Sequence, residues 1–76
     1  MPVITEIVGQ LGDIDENCGI DPVVLNSEER AAAHFVTETA SGRTVRVSLP
    51  RGTELQDGDV LEIHDDWAVV VRAAQE

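Results

Sequence analysis

Hydrophobic and polar positions alternate strictly through much of the second half of the chain. In "RTVRVSLP", Val45, Val47 and Leu49 alternate with Thr44, Arg46 and Ser48, the period of a strand with one buried face. "DVLEIHDDWAVVVRA" predicts two more strands, joined by a tight hairpin at Asp65-Asp66. In the first, Leu61 and Ile63 alternate with Glu62 and His64; this parity directs Glu62 and His64 to solvent and Leu61 and Ile63 to the core. The second, from Trp67 to Val71, is apolar throughout. Such a run suits a buried central strand, but its place near the C-terminus argues for an edge strand with unpaired backbone donors. Ser41-Gly42 and Asp57-Gly58 are turn signals, because glycine accepts positive φ without a Cβ clash. "VITEIVGQL", rich in β-branched residues, is read as one strand.

The middle of the chain carries two signals. Asn26 with Glu29 three residues later, followed by three alanines, has the form of a capped helix. "FVTETA" directly after it favours a strand. A helical turn at Ser27 to Arg30 and a strand from about Ala32 to Ala40 satisfy both. The expectation is an all-β fold of six short strands in a small sandwich, with turn signals about every ten residues.

Length and composition narrow the class. A chain of 76 residues allows one domain, spanning 1–76, and a domain this size buries only about 60% of its unfolded surface. One cysteine excludes an intramolecular disulfide and suits a reducing compartment. The first residues have no basic segment and break at Gly9, unlike a signal peptide. No apolar run approaches the ~20 residues of a membrane span. The expected location is cytoplasmic.

Fifteen acids against five arginines give a net charge of −10. That balance excludes nucleic acid and anionic membrane as partners. The 42% of hydrophobic residues excludes disorder as its explanation.

Candidate chemistry begins with "GDIDENCGID". Asp13, Asp15, Asn17 and Asp21 occupy the first, third, fifth and ninth positions of a calcium loop. The sixth should be glycine and is Cys18; the twelfth should be glutamate and is Val24. With two essential positions wrong, the stretch reads as a polar inter-strand loop. Cys18, His34 and His64 are the remaining metal candidates, but no two stand at a ligand spacing. His34 shares its parity with Val36 and Glu38 and reads as either buried or exposed. Neither G-x-S-x-G nor a phosphate-cradling glycine loop occurs, so no catalytic role is expected. Trp67 is core or edge cover, or, if exposed, the mark of an interface.

From Leu25 onward the chain resembles the N-terminal domain of the UreE urease accessory proteins. The residues that carry the resemblance are "LNSEER", "SGRTVRVSLPRGTELQDGDVLE" and "AVVVRAAQE"; "ITEIVGQL" at the start also fits. The resemblance implies two stacked sheets of about three short strands each, antiparallel or mixed, similar to the peptide-binding domain of Hsp40 chaperones. It also implies contact with protein partners, urease or its other accessory proteins, in assembly of a nickel centre.

In that family nickel is held by a separate C-terminal domain and a histidine-rich tail, so no cofactor is expected in this chain and the metal domain is expected to be absent. Arg30, His34, Arg51 and Trp67 are the candidate partner contacts. The isolated chain is expected to be a monomer that docks transiently. Two other readings are a non-catalytic subunit built into a larger enzyme and an acidic metal buffer using the loop carboxylates.

Overall fold

A computed structural model of the chain describes residues 3–74. Among these residues seven strands form two sheets: β1 (Val3–Ile4), β2 (Gly9–Gln10), β3 (Gly19–Leu25), β4 (His34–Glu38), β5 (Thr44–Ser48), β6 (Asp59–Ile63) and β7 (Trp67–Ala73). The three-stranded sheet has the order β1-β5-β4, and the four-stranded sheet β2-β6-β7-β3. Pairings β1/β5 and β3/β7 are parallel; β2/β6, β4/β5 and β6/β7 are antiparallel. The expected all-β fold of two small mixed sheets is the fold observed.

The main core lies between the sheets. Ile4, Val45 and Val47 come from one sheet, and Val23, Leu25, Leu61, Val69 and Val71 from the other, with Leu49 and Leu55 from the loop after β5. The helical turn is also where it was expected, as α1 (Ser27–Ala31). The Asn26 side chain accepts from the Glu29 N–H at 2.8 Å, and the Glu29 carboxylate accepts from the Asn26 N–H at 3.0 Å. This reciprocal pair satisfies two donors that a helix start otherwise leaves unbonded.

The Asp57-Gly58 turn is held from three sides. Gly58 has φ +92° and donates to the Val71 carbonyl at 2.8 Å. The buried Asp59 carboxylate accepts from the Gln56 N–H and from the Gln10 side chain, each at 2.7 Å. Gly42, in the β4–β5 hairpin, also has positive φ.

Four expectations are corrected. First, "VITEIVGQL" is two strands in different sheets. Ile4 is buried and Ile7 packs against the same core, a spacing of three that no single strand face supplies; the chain crosses between sheets over residues 5–8.

Second, β7 is a central strand paired on both sides. Its apolar run follows from burial on both faces: Val69 and Val71 enter the main core, while Ala68 and Val70 join Val60 in a second cluster outside it.

Third, "GDIDENCGID" is more than a polar loop. Leu11 and Ile14, in and beside a 3-10 turn at Leu11–Asp13, pack with Cys18 on that second cluster. Its last three residues, Gly19, Ile20 and Asp21, open β3.

Fourth, the β6–β7 register slips. Val60 faces Val70, but Glu62 faces Val69 and Ile63 faces Ala68, leaving Leu61 as the extra residue of a β-bulge. Past the bulge the faces exchange, so Ile63 is 53% exposed instead of filling the core. Glu62 is only half-buried, on the side where Val69 faces the main core.

Candidate interaction surfaces

The four candidate partner contacts do not form one site. β3 and β7 run in parallel, with Gly19 opposite Trp67 and Leu25 opposite Ala73, so Trp67 lies at the sheet end opposite α1. Arg30, His34 and Arg51 belong to the α1 end. There the Arg30 guanidinium donates to the Leu25 carbonyl at 2.7 Å, and its backbone carbonyl accepts from the Leu55 N–H at 2.9 Å. Arg30 therefore ties α1 to β3 and to the loop before β6. His34, exposed on β4, shares a 2.9 Å hydrogen bond between Nδ1 and Ser48 Oγ. Arg51 is exposed in the Pro50–Thr53 turn, where Gly52 has φ +88°.

At the opposite end the half-buried Trp67 contacts the side chains of His64 and Arg43. The His64 ring stacks on it with centroids 3.9 Å apart and planes 19° from parallel. The Arg43 guanidinium carbon stands 3.8 Å from the indole centroid, a cation–π arrangement. His64 Nε2 is 3.6 Å from Glu62 Oε2. Ile4, Val45, Arg46, Glu62, His64 and Trp67 line much of a cleft of about 210 Å³.

Arg43 also forms an ion pair with Asp21, Nε to Oδ2 at 3.1 Å. Asp21 is 7% exposed and accepts from the Ser41 hydroxyl at 2.6 Å and the Ser41 N–H at 3.1 Å. Burial pushes its carboxyl upward, but hydrogen bonds from the Ser41 and Thr39 side chains and the Ser41 N–H, with the Arg43 charge, outweigh it; the net direction is below the usual carboxylate range. This latch joins β3 of one sheet to the β4–β5 hairpin of the other. Along the chain Asp21 reads as a loop carboxylate. The signal that could have found it is parity, since Asp21 alternates with Val23 and Leu25, both buried.

The remaining loop oxygens serve local turns. The Asp13 carboxylate accepts from the Gln10 N–H at 3.2 Å and the Asp15 carboxylate from the Asn17 N–H at 2.9 Å, while Asp21 takes part in the latch. Cys18 lies against the outer cluster, His34 on β4 and His64 on Trp67. Among the described residues, no three His, Cys, Asp or Glu side chains gather into a group that could hold a metal ion. None of the described helices is long and apolar enough to cross a membrane.

The architecture places the chain among small two-sheet β domains, with its surface features at opposite ends of the sheets. The model of the UreE urease accessory protein N-terminal domain matches residues 4–74, and the chain belongs to that family. It is 50% identical over 51 residues to the urease accessory protein UreE of a Nostoc species, covering 67% of this chain and 35% of that protein. Over 74 residues it is 34% identical to the UreE of a Synechococcus species, covering 97% of this chain and 50% of the relative. The chain thus spans between a third and a half of the length of the relatives it matches.

Proposed function

We propose that this domain is a non-catalytic docking module in urease maturation, assisting assembly of the nickel centre by binding protein partners. The observation that carries the reading is the family match across residues 4–74. The apolar run of β7 is accounted for by burial within the domain itself, so it gives no support to the reading as a permanent subunit of a larger enzyme. In this reading Arg51 and His34 meet a partner at the α1 end and Trp67 at the other, while Arg30 holds the α1 end in shape. Nickel is cargo held outside the described residues.

Copurification of the chain with urease apoprotein and its accessory proteins tests the proposal. A complex is expected, and Arg51→Glu should weaken it by about tenfold or less, as for a charge at the rim of an interface. Absence of any complex with these proteins overturns the reading. Calorimetry at neutral pH should show no tight nickel site in this chain; one tighter than about micromolar, roughly 8 kcal/mol, would return Cys18, His34 and His64 to consideration.

A further inference from the structure

The outer face of the four-stranded sheet carries a strip of apolar side chains that the described residues leave uncovered. Ile20 of β3 and Ile63 of β6 both stand opposite Ala68 of β7 in register. They therefore flank Ala68 with their strands about 10 Å apart, two inter-strand spacings. Ile20 is 44% exposed, Ile63 53%, and Val24 further along β3 60%. Leu11, Ile14 and Cys18 cover Val60, Val70 and Ala68, and the cover stops short of the two isoleucines. The bulge at Leu61 brings Ile63 to this face.

Two acidic loops border the same end of the strip. The turn closed by the Cys18 N–H on the Asp15 carbonyl, at 2.9 Å, leads directly into Gly19, whose own N–H donates to the Asp66 carbonyl at 2.8 Å. Asp15 and Glu16 thus lie in the loop joined at Gly19 to the hairpin that holds Asp65 and Asp66. All four are exposed, and none is in an ion pair among the described residues. Arg72, a cation on this face, lies beside Val24 at the far end, 3.6 Å from Asp57.

We infer that this strip is a docking surface for a segment of a partner protein in which apolar side chains alternate or mingle with lysines or arginines. The inference rests on the reading of the domain as a protein-docking module. Apolar groups of the segment pack on the exposed sides of Ile20 and Ile63, and the flanking cations meet Asp15, Glu16, Asp65 and Asp66. A second copy of this chain brings another net charge of −10 and is repelled. The acidic rim sets the encounter rate, and the buried isoleucines set the lifetime of the complex.

Three labelled synthetic peptides test it on the whole chain: alternating lysine and valine, alternating lysine and serine, and alternating glutamate and valine. The lysine–valine peptide is expected to bind, more weakly at higher salt. Ile63→Ser and Ile20→Ser should each weaken it by about tenfold, while Val36→Ser, exposed on the other sheet, should not. Both isoleucines are exposed, and circular dichroism will verify that the variants stay folded.

Equal binding of the lysine–serine peptide would reduce the effect to charge alone and overturn the proposal. So would binding of the glutamate–valine peptide, no binding of any, or unchanged affinity in both isoleucine variants. A chain that joins urease proteins but not the lysine–valine peptide loses this surface and keeps the urease reading. One that binds the peptide in the isoleucine-dependent way, but no urease protein, keeps the surface and loses that reading.

Discussion

The two central strands, β5 and β7, have opposite patterns and teach one rule from both sides. β5 alternates, with Val45 and Val47 buried and Thr44 and Arg46 exposed. β7 does not: Ala68, Val69, Val70 and Val71 are each 0% exposed. The strands differ in how many faces are covered. The outer face of β5 meets solvent at Thr44 and Arg46, while β7 lies between the inter-sheet core and the cover formed by Leu11, Ile14 and Cys18. Alternation therefore reports one covered face, and its loss reports two.

The sharpest way to break the comparison is to place a charge on the outer face of each strand. Val70→Asp should cost about 3 kcal/mol or more, because a carboxylate would enter a covered apolar cluster. Arg46→Asp on β5 should stay within about 0.5 kcal/mol. Urea unfolding of both variants measures the gap, and equal midpoints would mean that the outer face of β7 is not covered.

The next effect concerns what holds the two sheets in register with each other. Asp21→Asn should destabilise by about 2 kcal/mol at neutral pH, through loss of charge-assisted hydrogen bonds to Ser41 and Arg43. Because the folded pKa of Asp21 lies below its ordinary value, its contribution is fully present above the unfolded pKa, about 4. It is lost as pH falls through that value toward the lowered folded pKa. The stability difference between parent and variant should therefore shrink below about pH 4. A difference independent of pH would exclude Asp21 ionisation as its origin.

Gly58→Val should cost about 1–2 kcal/mol, from β-branched backbone strain at positive φ. Gly58 also accepts the Leu11 N–H at 2.8 Å, so this variant should loosen the cover of β7 as well. Faster amide exchange at Leu11, with β5 unaffected, is the expected signature. Ile14→Ser is the mildest of the destabilising changes, at about 1 kcal/mol, because Ile14 is only partly buried. A cost as large as that of Val70→Asp would show that the cover contributes more than its contact area implies.

Much of this domain was legible along the chain because it depends on neighbours. The Asn26–Glu29 capping pair, the glycine turns and the alternation of β5 are local matters of backbone sterics and period-two burial, and each was read in place. The family resemblance was legible for the same reason, since motifs such as Leu49 to Gly52 and Asp57 to Leu61 encode turns and strand entries. Features requiring distant partners were not. The β-bulge that exposes Ile63 depends on pairing with β7, and "DVLEI" alone carries no mark of where the ladder slips. Likewise, Asp21 joins a buried latch only because β3 lies near the β4–β5 hairpin, where Ser41 and Arg43 are twenty or more positions away. Local sequence selects strands and turns through steric preference; which faces are covered, and which carboxylate finds an arginine, is decided when the sheets stack and the chain meets itself.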